Sequence, residues 1–150
     1  MLRELRDSDL QHLIEISFYN GIPAKDLLDA QIMNGTIKKD YLNGNSIHWI
    51  ITSAADGEVL GTCGYYRGFK NNFGEIGYVL KKNHQGKGLM AEALSLMLEF
   101  GWKELQLKAI KAMTSIHNKA SSNVLKKAGF KLIHTENNEL VFLIRQHLRF

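Results

Sequence analysis

The chain has 150 residues, of which 45% are hydrophobic and 23% charged, a balance typical of an ordinary globular domain. That composition excludes disorder, a collagen-like chain and a disulfide-stapled miniprotein, and the single cysteine, Cys63, excludes an internal disulfide and a multi-cysteine zinc site. The net charge of +4 favours an anionic ligand, but no basic run is long enough to indicate a dedicated nucleic-acid binder.

The ends and the interior of the chain show no targeting or linker pattern. No apolar run approaches the length of a membrane-spanning helix, and acidic residues stand where a signal peptide needs an apolar stretch. We therefore expect a single domain over residues 1–150, no membrane partner, no metal and a cytoplasmic location.

The first part of the chain predicts helices. Ser8 and Gln11 have capping-box spacing. Helical periodicity follows at Leu10, Leu13, Ile14 and Ser17. We expect one helix ending near Asn20-Gly21, and then one or two short helices over residues 24–43, broken at Asn34-Gly35.

The middle of the chain predicts an antiparallel meander. Residues 46–52 and 58–66 are rich in β-forming side chains and flank Asp56-Gly57, a strong hairpin turn. A third strand follows over residues 75–80. On the second strand, alternation points one of Tyr65 and Tyr66 inward.

The second half alternates helices and strands. A regular apolar helix starts at Leu89 and reaches Gly101, a strand covers 109–115, and a second helix ends before Gly129. Residues 131–134 and 139–148 form a hairpin around Asn137-Asn138. The order of elements predicts a mixed α/β domain.

The chemistry is concentrated where a strand runs through a glycine-containing turn into the helix at Leu89. The first N–H groups of a helix have no internal partner, and glycines at 86 and 88 let a ligand approach them, so the turn can hold a phosphate. The other interpretation is a tight turn alone. The loop matches neither a P-loop nor a Rossmann fingerprint.

Three segments resemble one family. Gln85-Gly86-Lys87-Gly88-Leu89-Met90 resembles the pyrophosphate loop of the GNAT acetyltransferases, and the stretch from Asn118 to Phe130 and Glu75-Ile76-Gly77-Tyr78 resemble two further segments. The similarity is closest to the branch with ribosomal-protein N-terminal acetyltransferases. It implies a GNAT-type, mostly antiparallel central sheet, flanked by helices and splayed between its central strands.

The resemblance also implies a donor, acetyl-CoA, and the residues that hold it. Asn118 would contact a pantetheine amide and Ser121 would lie near the sulfur. The pantetheine arm would bond along the backbone of Tyr78, Val79 and Leu80. The pyrophosphate would be held by Gln85, Gly86, Lys87, Gly88, Leu89, Met90 and Ala91.

Many family members have a tyrosine that acts as general acid where this chain has Leu125. The proton for the leaving thiolate would then come from Ser121 or from a water that it positions, or the thiolate would leave without one. Ser121 is therefore a candidate hydrogen-bond donor to the leaving sulfur, or alternatively satisfies the backbone at a helix start. Glu75 is the first candidate for the general base, or else a solvated or ion-paired carboxylate, and His117 is the second candidate.

The function implied is an N-acetyltransferase that acts on a primary amine by direct attack in a ternary complex, with a peptide or protein N-terminus favoured over a small amine. We expect the acceptor groove between the helices at 9–43 and the terminal hairpin. A homodimer through an edge strand of that hairpin is compatible with the pattern. The alternative is a non-catalytic acyl-CoA-binding or regulatory module.

Overall fold

A computed structural model of the chain describes residues 1–19 and 22–147. Its α-helices are α1 (Leu27–Leu42), α2 (Leu89–Lys103) and α3 (Lys119–Lys127). Its strands are β1 (Leu2–Arg3), β2 (Phe18–Tyr19), β3 (Ile22–Pro23), β4 (Ile47–Thr52), β5 (Val59–Gly68), β6 (Phe73–Leu80), β7 (Ala109–Ser115), β8 (Lys131–Glu136) and β9 (Glu139–Arg145). Short 3-10 helices cover Asp7–His12, Ile14–Ile16, Lys70–Asn72 and Lys82–His84.

Seven strands form one sheet in the order β1-β4-β5-β6-β7-β9-β8, while β2 pairs with β3 separately. Neighbouring strands of the large sheet are antiparallel, except that β6 and β7 are parallel. The fold is therefore the mixed, mostly antiparallel α/β sheet that the sequence predicts. The predicted turns also form, with positive φ at Gly57, Gly129, Asn137 and Asn138.

Helices cover both faces of the sheet. On one face, α2 and α3 pack their apolar sides on the main core, where Leu94, Met97 and Leu125 are fully buried. On the other face, Leu13 and Ile16 from the 3-10 segments pack with Ile50 and Val59. Over the described parts of the chain, no helix combines the length and the apolar character needed to cross a bilayer.

The helix predicted after Ser8 is wrong in type. Two 3-10 helices stand there, with Leu13 between them, and the buried apolar residues Leu10, Leu13 and Ile16 are spaced three apart, which is the period of a 3-10 helix. The carboxylate of Asp9 accepts from the backbone N–H of Arg6, so the segment starts earlier than the Ser8 cap predicts. The predicted end at Asn20-Gly21 lies outside the described residues, as does Leu148 at the end of the last predicted strand.

The break predicted at Asn34-Gly35 is also wrong, because α1 is continuous. The carboxylate of Asp26 caps it by accepting from the backbone N–H of Asp29 at 2.9 Å. Farther along, the Lys38 ammonium lies 2.7 Å from the Asp7 carboxylate, and Asn34 is buried beside the same group. These contacts tie α1 to the 3-10 segment on both sides of Gly35, which lies within the continuous helix.

Candidate active site

A gap opens in the middle of the sheet, where β6 and β7 part. The two strands pair from Phe73 with Ala109 to Ile76 with Ala112, and no further, although β6 continues to Leu80 and β7 to Ser115. Among the described residues, no strand pairs with the β7-facing edge of β6 after Ile76. Apart from the Leu80 carbonyl, which accepts from Gln85, the backbone groups along this edge are available to an extended ligand, as at any strand edge.

At the end of β6 the chain forms a glycine loop at the N-terminus of α2, residues 85–91, which we call the cradle. Gly86 and Gly88 adopt φ of 75° and 78°, and a Cβ built on either would meet nothing within 4 Å. The side-chain amide of Gln85 donates to the carbonyl of Leu80 at 3.1 Å and fixes the loop to the strand. Within the described residues, the amides of 86–91 form no hydrogen bond to another part of the chain.

A cavity of about 570 Å³ lies on the opposite side of the sheet, beneath α1 and the first two 3-10 helices. Its walls are mostly apolar, and its polar side chains include Asp40, His48, Tyr66 and Glu75. The cavity also reaches Tyr78 and Met113, so it extends to the gap between β6 and β7. The cavity therefore reaches the gap on one face of the sheet, and β6 leads from the gap to the loop at the start of α2.

Glu75 lies where this cavity meets the gap. Its side chain is 23% exposed, and one carboxylate oxygen is 3.3 Å from the Lys111 ammonium on β7. The ion-paired carboxylate that the sequence left open is therefore present. Because the pair lies beside the gap, this carboxylate can also take a proton from a group entering through the cavity.

His48 and Tyr66 form the far wall of the cavity. Their rings meet edge to face, with centroids 4.4 Å apart. Burial lowers the pKa of His48 to about 4, against an opposing effect from Asp40, so the imidazole is neutral near pH 7. Burial likewise raises the pKa of Tyr66, so this wall is uncharged.

On the other face of β6, Tyr78 reaches across the gap to α3. Its hydroxyl oxygen lies 2.8 Å from the Ser121 Oγ. The Ser121 backbone N–H donates to the side chain of Asn118, the N-cap of α3, at 3.1 Å. The Ser121 hydroxyl is therefore not needed to satisfy the helix start, because Asn118 does so.

The arrangement agrees with a known family. The family model of the acetyltransferase (GNAT) domain matches residues 1–131 of the chain. The chain belongs to the GNAT acetyltransferase family. It is therefore an acyltransferase by family, as the sequence predicts, and GNAT enzymes use acetyl-CoA as donor.

Individual relatives agree with the GNAT assignment. The chain is 33% identical to the uncharacterized N-acetyltransferase p20 of Bacillus licheniformis over 119 residues, which cover 78% of this chain and 67% of p20. It is 26% identical to the ribosomal protein uS5-alanine N-acetyltransferase of Escherichia coli, over 65% of this chain and 51% of that protein. The fold matches the spermidine N-acetyltransferase of Vibrio cholerae with a TM-score of 0.81 at 16% identity, covering 97% and 93% of the two chains.

Within this GNAT fold, most of the predicted site residues lie near one another, and His117 lies apart from them. The strand residues 78–80, the loop residues 85–91, Glu75 and Ser121 all lie along the gap and the cradle. His117 lies in the exposed turn between β7 and α3, where its backbone N–H donates to the Ser115 hydroxyl. His117 is not among the side chains that line the large cavity.

Several residues of the site escaped sequence reasoning. Lys111, His48 and the hydroxyl of Tyr78 reach the site only because strands distant in sequence become neighbours. Tyr66 was foreseen in part, since alternation along β5 buries Tyr65 completely and turns Tyr66 to the cavity. The terminal hairpin, expected on the groove rim, contributes no lining residue among those described.

Proposed function

We propose that the protein transfers an acetyl group from acetyl-CoA to a primary amine, by direct attack within a ternary complex. The observation that carries the proposal is the gap between β6 and β7, which the cavity reaches at Tyr78 and Met113 and from which β6 leads to the cradle. A donor entering from one face of the sheet and an amine entering from the other would meet at this gap.

The residues of the gap and the cradle fit the donor. The unpaired amides of the cradle, chiefly those of Lys87, Gly88 and Met90, would hold the pyrophosphate at the positive end of α2. The free edge of β6 over 78–80 would bond the pantetheine arm as a substitute strand. The side-chain amide nitrogen of Asn118 remains available for a further contact, because only its oxygen caps α3.

Bound acetyl-CoA supplies an activated acetyl group as a thioester. An amine attacks it only when unprotonated, so the enzyme must accept a proton from the bound ammonium. Glu75 would take that proton directly or through a water molecule, while Lys111 holds its carboxylate in place. Ser121 would act at the leaving sulfur together with the Tyr78 hydroxyl, which lies 2.8 Å from its Oγ.

We favour a peptide or protein N-terminal amine as acceptor over a small amine. The support comes from the relative that acts on ribosomal protein uS5 and from a cavity that is large and mostly apolar. Asp40 and Glu75 add negative charge that suits any ammonium, so a small amine such as spermidine is the comparison substrate.

The first experiment is a calorimetric titration with acetyl-CoA, CoA and desulfo-CoA, followed by an assay of thiol release with alanine-terminated peptides and with spermidine. We expect micromolar donor binding in the wild type and a loss of at least tenfold in Gly88→Leu, whose side chain would enter the cradle. Gly44→Leu is the matched control, since Gly44 has a similar φ of 72° and equally open surroundings, far from the cradle. Equal binding by both variants, or none by the wild type, would contradict the proposal.

Three further expectations stay predictions. A homodimer could form through β8, the sheet edge, whose six residues are all exposed. A single domain over 1–150 and a cytoplasmic location are the other two. Sedimentation, limited proteolysis and cell fractionation test them in turn.

A further inference from the structure

The leaving sulfur of the proposed reaction needs a proton, and the start of α3 offers no acidic side chain of its own. Leu125 is fully buried in the core, so no group at that position reaches the gap. Ser121 has a hydroxyl at the gap, but a serine hydroxyl by itself is too weak an acid to protonate a thiolate. The group hydrogen-bonded to Ser121 is the phenol of Tyr78, which is a far stronger acid.

The position of Tyr78 on β6 suits a proton donor. Alternation places Ile76, Tyr78 and Leu80 on the face of α2 and α3, where Ile76 and Leu80 are buried in the main core. Glu75 and Val79 belong to the opposite face, where Val79 packs on the 3-10 segment. The carboxylate that would receive the amine proton and the phenol therefore lie on opposite sides of the same strand, next to the same gap.

We propose that Tyr78 is the proton donor to the leaving sulfur, and that Ser121 orients the hydroxyl of Tyr78. The inference rests on the proposed function, because it concerns the same transfer. As the new C–N bond forms and the C–S bond breaks, the Tyr78 O–H proton passes to the sulfur. The phenolate is then reprotonated from solvent, and the amine proton leaves through Glu75.

The surroundings keep Tyr78 in the form that can donate. Burial raises the pKa of its phenol, and the hydrogen bond to Ser121 opposes that effect in part. The phenol is therefore protonated at neutral pH. The 2.8 Å hydrogen bond to Ser121 also limits the rotation of the phenol hydroxyl, and with Ser121 as its donor the Tyr78 proton stays free for the sulfur.

The test measures the pKa of the bound CoA thiol, by following the ultraviolet absorbance of the thiolate in saturated complexes across pH. A phenol that hydrogen-bonds the sulfur stabilises the thiolate, so Tyr78→Phe should raise this pKa by about one unit or more. The one cysteine of the chain, Cys63, is buried and its pKa is raised to about 12, so its thiolate adds little signal where the CoA thiol titrates.

Tyr65→Phe is the matched control. Tyr65 lies on the neighbouring strand, and its hydroxyl donates to the carbonyl of Met97 at 2.7 Å, inside the core and away from the gap. This variant should lose stability while the pKa of bound CoA stays as in the wild type. If Tyr78 only braces the gap, Tyr78→Phe should behave like Tyr65→Phe and leave the pKa of the bound thiol unchanged. That result would overturn the inference.

Turnover gives the second readout. We expect Tyr78→Phe to bind acetyl-CoA within threefold of the wild type while kcat falls at least tenfold, as is usual for the loss of a general acid. Ser121→Ala should produce a smaller loss, and adding it to Tyr78→Phe should cost little more, because the two groups act as a pair. A kcat of Tyr78→Phe within twofold of the wild type would overturn the inference, whereas a wild type that binds no CoA would overturn the proposed function itself.

Discussion

At the scale of single residues, the site depends on side chains that occupy opposite faces of one strand. Glu75 and Tyr78 are close in sequence, yet one faces the cavity and the other faces α3. The contact with Lys111 gives Glu75 a structural role that could by itself explain its presence. An ion pair requires Lys111, whereas proton transfer requires only the carboxylate of Glu75.

Variants of Glu75 and Lys111 distinguish a general base from a structural ion pair. Glu75→Gln removes the proton acceptor and should lower kcat at least about tenfold, with acetyl-CoA binding intact. Lys111→Met breaks the same ion pair but keeps the carboxylate, so its kcat should fall much less. Thiol release and calorimetry measure the two quantities. Equal losses in both variants would show that the ion pair, and not proton transfer, is what the site requires.

At the scale of elements, two helix glycines have opposite surroundings. Gly35 in α1 is exposed, and a Cβ there would meet nothing within 4 Å. Gly101 in α2 is buried, and a Cβ there would overlap the Tyr65 hydroxyl. The absence of a side chain at Gly101 is what lets Tyr65 reach the Met97 carbonyl.

Alanine at the two glycines should therefore change stability in opposite directions. Gly35→Ala should raise the free energy of unfolding by about 0.5–1 kcal/mol, since alanine is the better helix former. Gly101→Ala should lower it by about 1–3 kcal/mol through overpacking of the core. Urea unfolding of both variants measures the difference. A loss of stability in Gly35→Ala would mean that α1 is not the continuous helix described above.

The same elements show how far sequence patterns go. The strand at 109–115 and the helix ending before Gly129 occur where predicted, because local periodicity and a glycine in a left-handed conformation suffice to define them. The helix break predicted at Asn34-Gly35 and the type of helix predicted after Ser8 were wrong. In both places the structure has side-chain contacts that helical periodicity does not register, Asp7 with Lys38 across 31 residues and Arg3 with Asp9 across six.

At the scale of the whole molecule, buried titratable groups couple stability to pH. The guanidinium of Arg3 hydrogen-bonds Asp9 and holds the pKa of that carboxyl below its ordinary value. Stability from this pair is present above the ordinary carboxyl pKa and is lost as pH falls below it. His48 affects stability over a higher pH range, because burial lowers its pKa from 6.5 to about 4.

As the pH falls from neutral, stability should therefore be lost through His48 before it is lost through the pair of Arg3 and Asp9. Below pH 6.5 the unfolded chain binds a proton at His48 and the folded chain does not, so stability falls as pH falls towards 4. The shift predicts a loss of about 2 kcal/mol from this histidine between pH 7.5 and 5. His48→Gln should remove that part of the slope in urea unfolding at the two pH values. An unchanged slope in the variant would show that His48 does not cause it.

The sequence by itself determined the class of fold, the cradle and the family, because each rests on local patterns: periodicity, turn residues and a glycine loop before a helix. Only the tertiary structure decided where the sheet opens. Strand β9 inserts between β7 and β8, and β7 leaves β6 after Ala112, which are pairings between segments far apart in sequence. The cavity and the contacts of Glu75 and Tyr78 follow from those pairings, since neighbours across a sheet leave no periodic signal along the chain.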